Sequence, residues 1–456
     1  MTTTTTITTT GTRGRPPGPT GPPLIGSLIP VGRDRLGFMD RTARRYGDVA
    51  RFRMGPREMY LFNHPDHARH VLHDRHANYH KGVGLVHAKR ALGEGLLTSE
   101  GDLWRRQRRA VQPAFQRERL AAAATDIIDE ADKLVASWRG QDPAEPVDVT
   151  HEMTRYTLAV LGRSLLGTDL SPHQTIGDAF AVVQDQAMFE MMTLNAVPLW
   201  FPLPRNRRFR KARAELEALV NSMVDARAGR YDPDGDVVDR LLYLYRDETD
   251  EALKRRRLRD ELVTLLLAGH ETTSSTLGWT WSLMDRHPDV ADRVRDEARA
   301  VLGDRKPTYE DLHDLRYTSM VVEEAIRLYP PVWLLTRQAL EPDEIGGWPI
   351  QPGNDVLISP YTLHRNADFW PDPERFDPER FTPDRVRARP KYAYLPFGAG
   401  PRVCVGSHLG MAEAVLVTAM VARDLRLRLV PGYRVRPEAR LSLGVRGGLP
   451  MTVHPA

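Results

Sequence analysis

Cys404 is the single cysteine among 456 residues, so neither an internal disulfide nor a multi-cysteine metal cluster is open to this chain. A lone cysteine is usually a small buried hydrophobe, but this one has unusual neighbours. In "PFGAGPRVCVG", Phe397, Gly400, Arg402, Cys404 and Gly406 fall at F-x-x-G-x-R-x-C-x-G. The glycines let the backbone come close to something flat, and Arg402 stands two residues before the sulfur. A helical stretch, "SHLGMAEAVLVTAMVARDL", begins immediately afterwards. N–H groups at a helix start, and the positive end of its dipole, favour a thiolate over a thiol.

A second cluster capable of chemistry is "LLLAGHETTSS", Leu265 to Ser275, a polar island inside an apolar helical run. It invites the zinc-binding pattern H-E-x-x-H, which fails because the position one turn after His270 is Ser274. Ala268 and Thr272 stand four apart and share a helix face. Thr272 can bond back to the Ala268 carbonyl and open the helix locally. Glu271 beside it is an acid able to relay protons, and His270 is expected to face away and bond within the protein.

The elements that must position these residues read as mainly helical. Amphipathic periodicity runs through 102–139, 206–228, 258–286 and 316–329. "DVARFRM" and "REMYLF" around Gly55-Pro56 form a strand hairpin, and short strands return near "IGGWPIQPGNDVLIS". Residues 1–25, a Thr-rich tail running into a stiff Pro/Gly segment, are read as disordered, and 26–456 as one large domain. His64, His67, His70, His73 and His76 recur every third residue and are read as a solvated helix face, since that spacing drifts around a helix by about 60° per step.

Composition is ordinary for a globular protein, 41% hydrophobic and 27% charged. No run approaches the ~18 apolar residues of a membrane span, and the N-terminal stretch has no apolar core of the length a secretory leader needs; no leader, no membrane anchor and a cytoplasmic location are expected. Arginine clusters such as "LWRRQRRAVQ" come without a nucleic-acid motif, so nucleic acid is not expected as a partner.

Taken together, these motifs resemble the cytochrome P450 family of haem-thiolate monooxygenases, over residues ~15 to 456. The resemblance implies the P450 fold, mainly α with small β-sheets, and haem b with Cys404 as its axial ligand. A thiolate in that place favours O–O cleavage more than imidazole does. Phe397 and Gly400 belong to the ligand loop. "AGHETT" is similar to the family signature in which Ala268 leaves room for O2, while Thr272 and Glu271 deliver protons. Trp104, Arg108, Arg337, Arg402 and Lys81 resemble partners of the haem propionates. Glu324 and Arg327 in "EEAIR", with Arg380 of the second "PERF", resemble a buried scaffold.

For the substrate pocket, Leu92, Leu97, Leu267, Ala268, Val332 and Leu334 are candidates, under a Met-rich roof from Ala187 to Pro204. The resemblance further implies hydroxylation or epoxidation of a small lipophilic molecule such as a fatty acid, terpenoid, steroid or macrolide. Electrons would come from NAD(P)H indirectly, through a separate ferredoxin and ferredoxin reductase, with Arg105, Arg106 and Arg109 as the dock. The enzyme is expected to act as a monomer. Two rival readings stay open on the sequence: a haem enzyme that isomerises, dehydrates or couples its substrate, and a haem sensor or carrier without turnover.

Overall fold

The computed structural model describes every residue except 1–13, 172, 174, 194 and 228, so the threonine tail and Leu194 of the expected roof lie outside the described residues. The Pro/Gly segment is packed. Pro16 is buried, the Arg51 N–H donates to the Pro17 carbonyl (2.9 Å), and Gly26 bridges Met54. A Cβ on Gly18 would fall 1.7 Å from the Arg51 carbonyl oxygen. Prolines lack a donor but keep their carbonyls, and glycine permits the close approach. Packing therefore starts well before residue 26.

Tertiary order centres on one helix, Glu251–Arg286, roughly 54 Å long at 1.5 Å per residue. Asp250 starts it by accepting from the Ala252 and Leu253 N–H groups at 3.0 and 3.1 Å, and Pro288 opens the next helix two residues after its end. From Leu262 to Leu267 it is buried all round, the mark of a core helix. Arg117–Arg139, Val149–Leu166 and Ser407–Asp424 contribute to the same main core. The periodic stretch 102–139 is not one helix. Pro113 divides it into Gly101–Val111, a tight turn Gln112–Phe115, and Arg117–Arg139.

Five strands lie side by side in the order Val49–Met54, Arg57–Phe62, Asp355–Ile358, Leu335–Ala339, Tyr79–Lys81. Only the Arg57–Phe62 and Asp355–Ile358 pair is parallel. Register sets Lys81 directly opposite Arg337. The five histidines do not form one solvated face: His73 and His76 are exposed, while His64, His67 and His70 are partly buried. Pro65–Arg69 is α-helical but His70–Asp74 is a wider π-turn, which breaks the three-residue register. His67 packs edge-on against Phe62, and burial, then His64, lowers its pKa to about 4. Among the described residues, no group of three His, Cys, Asp or Glu could hold a metal ion.

Candidate active site around Cys404

The loop before Ser407–Asp424 is shaped by close backbone contacts. Gly400 has φ +70°, and a Cβ there would meet the Leu72 carbonyl oxygen at 1.9 Å. The Cys404 N–H donates to the Phe397 carbonyl at 2.9 Å, closing the turn. Burial pushes the thiol up from its ordinary range, against the pull of the Gly406 N–H and the Arg108 guanidinium. Yet the residue keeps accessible surface. A thiol both accessible and dominated by desolvation faces an interior space. Arg108 also donates to the Val403 carbonyl (2.8 Å) and to Gln112 (3.1 Å), tying Gly101–Val111 to the loop.

Around this loop lies a charge imbalance. Lys81 and Arg337, side by side in the sheet, are both buried. Arg402 grips both oxygens of Glu100, which also accepts the Lys81 backbone N–H at 2.6 Å. The Lys81 ammonium donates to the Leu96 and Ser99 carbonyls at 2.8 and 2.7 Å. The Arg402 guanidinium sits 5.3 Å from the Trp104 ring centroid. Burial, with Arg402 next, brings Lys81 down to about 7 and Arg337 to about 10. Glu261, pushed up to about 8 by burial, is largely protonated at neutral pH and offsets little. Two arginines and a lysine only partly protonated near pH 7 thus surround one carboxylate, an arrangement that a buried site tolerates only with further anions. The two propionates of a haem fit that excess, and a thiol at the same loop fits its iron.

On the long helix, the polar island takes the expected form. The Thr272 hydroxyl donates to the Ala268 carbonyl at 2.9 Å. Ala268 is exposed although the six residues before it are buried. His270 is fully buried, its Nδ1 2.5 Å from the Leu266 carbonyl. Next along, the Thr273 hydroxyl lies 3.5 Å from where a Cβ on Gly410 would stand. The helix that follows Cys404 therefore crosses the long helix beside Thr272.

Comparison with known proteins agrees with this geometry. The family profile for cytochrome P450 matches residues 16–450. The chain belongs to the cytochrome P450 family. It is 39% identical to cyclooctatin synthase of Streptomyces melanosporofaciens over 96% of this chain and 95% of that protein. Cyclooctat-9-en-7-ol 5-monooxygenase from the same organism is 36% identical, over 95% and 94%. Pentalenene oxygenase of Streptomyces avermitilis is 31% identical, over 91% and 92%. This P450 is a monooxygenase with haem-thiolate iron, and among its described residues no helix is long and apolar enough to cross a membrane.

The P450 scaffold beneath the loop is fully enclosed. Arg327 donates to both Glu324 oxygens (2.6 and 2.8 Å) and to the carbonyls of His364, Pro373 and Arg375 (2.8, 2.7 and 3.1 Å). Arg380 approaches Glu324 to 3.4 Å and donates to the Asp372 carbonyl at 2.8 Å. Among the apolar candidates, Leu92 and Leu267 are buried in the main core and Leu97 is packed against it. Leu97 and Leu334 are partly exposed, and Val332 and Ala268 are exposed.

Sequence reasoning missed Glu100, the carboxylate shared by Arg402 and Lys81. It also missed Ser442, whose hydroxyl donates to Glu271 at 2.6 Å. Glu100 carries a weak signal, an acid four residues before Trp104 in a basic stretch. Ser442 carries none, being 171 residues from its partner.

Proposed function

We propose that this P450 oxygenates a polycyclic terpenoid or a lipophilic molecule of similar size, with electrons delivered from NAD(P)H by a ferredoxin and its reductase to a monomer in the cytoplasm. Bound at Cys404, haem would supply activation of O2 and insertion of one oxygen atom into a C–H or C=C bond. The observation that carries this reading is the accessible Cys404 thiol beside a cluster with more cations than carboxylates.

In this reading the protein's own residues divide the remaining work. Cys404 ligates, and Phe397 and Gly400 shape its loop. Arg402, Arg337, Lys81, Arg108 and Trp104 hold the two propionates, Arg402 and Arg108 with the N–H groups not given to Glu100, Gln112 and Val403. Ala268 leaves space above the cofactor plane. Thr272 and Glu271 carry protons inward from solvent, and Glu271 is placed for that by a side chain one-quarter exposed. Exposed Arg105, Arg106 and Arg109 suit an acidic electron carrier.

The terpenoid preference is supported by relatives whose names concern cyclooctat-9-en-7-ol and pentalenene. Met188, Phe189 and Met192 of the expected roof line a recess of about 550 Å³ whose other walls are largely charged, Arg33, Asp34, Arg205 and Arg440 among them, so the preference rests on the relatives.

The deciding experiment is the carbon monoxide difference spectrum of the dithionite-reduced protein, followed by turnover of terpene hydrocarbons and alcohols with a ferredoxin system. A Soret band at the long wavelength of thiolate-ligated iron, lost in Cys404→Ala, supports the ligand assignment. A band at the imidazole wavelength overturns it. Consumption of NADPH without any oxygenated terpenoid would overturn the substrate class alone.

A further inference from the structure

Glu271 has a partner that no motif announces. The C-terminal hairpin, strands Pro437–Ala439 and Leu443–Val445, is clamped onto the long helix at its turn. The Leu443 carbonyl accepts from the Ser275 hydroxyl (2.5 Å) and the Trp279 indole (3.0 Å), and the Leu443 N–H donates to the Pro331 carbonyl (2.9 Å). This clamp sets Ser442, 5% exposed, against the carboxyl group, and its Oγ donates to Glu271 Oε1 at 2.6 Å.

The other carboxyl oxygen faces a different group. Glu271 Oε2 lies 3.8 Å from Nε2 of His270. His270 Nδ1 is 2.5 Å from the Leu266 carbonyl, and a carbonyl only accepts, so Nδ1 carries the ring proton and Nε2 offers a lone pair. That Nε2 is buried without a hydrogen-bond partner. The carboxyl group is therefore held by a donor on one oxygen and faces an acceptor on the other. The Thr272 hydroxyl next to it is committed to the Ala268 carbonyl. Among the described residues Ser442 is the side chain seen to donate to the Glu271 carboxyl group, whereas the Ser274 hydroxyl donates to the Glu271 backbone carbonyl.

We propose that Ser442 is a positioning residue for proton delivery, acting through Glu271. Its hydroxyl holds the carboxyl in one rotamer. No proton is gained or lost at Ser442. This inference rests on the reading of Glu271 and Thr272 as the relay.

The test uses full-length holoprotein with Ser442→Ala, Ser442→Thr, Glu271→Gln and the Ser442→Ala/Glu271→Gln double variant. Two quantities are read: hydrogen peroxide released per product formed, and the infrared carboxyl band assigned to Glu271 by its disappearance in Glu271→Gln. Ser442→Ala should shift that band and raise the peroxide-to-product ratio by about tenfold, the loss of one charge-assisted hydrogen bond. Ser442→Thr should restore both, and the double variant should leak no more than Glu271→Gln alone. An unmoved band and ratio in Ser442→Ala, or additive leakage in the double variant, overturns the proposal. If Glu271→Gln leaks while Ser442→Ala does not, only the role of Ser442 falls. If Glu271→Gln does not leak, the relay reading falls and takes Ser442 with it.

Discussion

Removing either half of the Glu324–Arg327 pair should unload the enzyme, and the two halves should differ in how their loss depends on pH. Both side chains have no exposure. In Glu324→Ala the guanidinium keeps its three carbonyl acceptors but loses both carboxylate bonds, and it cannot discharge by losing a proton. A buried charge stripped of its partner costs about 3–5 kcal/mol, roughly two to three and a half powers of ten in the folding equilibrium. In Arg327→Ala three carbonyls lose their donor, at about 1 kcal/mol or more each, so the total also reaches about 3 kcal/mol. Here the group left behind is a carboxyl. Burial already pushes Glu324 up, against Arg327's bonds and charge, the Asp377 N–H and Arg380. Without Arg327 the folded pKa rises further above the unfolded one.

The folded state of Arg327→Ala then binds more protons than the unfolded state above pH ~4.5. Its stability relative to the parent falls as pH rises from about 5 to 8, whereas that of Glu324→Ala should lack this added slope. Urea unfolding followed by tryptophan fluorescence at pH 5 and 8, with haem content from the ratio of Soret to protein absorbance, reads both effects. A loss below about 1 kcal/mol in either variant would refute the reasoning, since surface ion pairs are worth that little. So would equal pH slopes in the two.

Three further outcomes follow from the same geometry. Gly400→Ala brings a Cβ to 1.9 Å from the Leu72 carbonyl at φ +70°, so purified protein should carry little haem, while Gly432→Ala, at φ +79° but with nothing near its Cβ, carries the backbone strain without the clash and should load normally. Lys81 sits near pKa 7, and a bound dianion favours its charged form, so haem uptake should draw in a proton above pH 7. Haem affinity of the apoprotein, from Soret titrations, should then fall from pH 7 to 9 by up to about tenfold per unit, and Lys81→Met should remove that slope. Charge reversal at exposed Arg106 and Arg109 should slow reduction by an acidic ferredoxin about tenfold at low salt, and the gap to the parent should close as ionic strength rises in stopped-flow traces.

Local patterns were legible because their physics is local. The spacing of Ala268 and Thr272 is one helical turn, so the hydroxyl-to-carbonyl bond found at 2.9 Å follows from sequence separation alone. The same holds for Glu324 and Arg327, three apart on one helix, and for the hairpin around Gly55-Pro56. The loop around Cys404 was legible because five spaced residues made it specific. Where local physics competed, the reading slipped: Pro113 cut a continuous amphipathic pattern, and the wider turn at His70–Asp74 broke a regular histidine spacing.

The sequence by itself determined where the thiol, the guanidinium groups and the hydroxyl–carboxyl pair stand along the chain, because those features belong to side-chain type and short-range spacing. Only the tertiary structure decided how their charges balance and who holds whom. Glu100 reaches Arg402 across 302 residues, and Ser442 reaches Glu271 across 171. Sheet register sets Lys81 against Arg337, which lie far apart in the chain. No local preference encodes such contacts; they arise when the core closes, and desolvation then turns ordinary lysine and arginine side chains into a cradle short of anions.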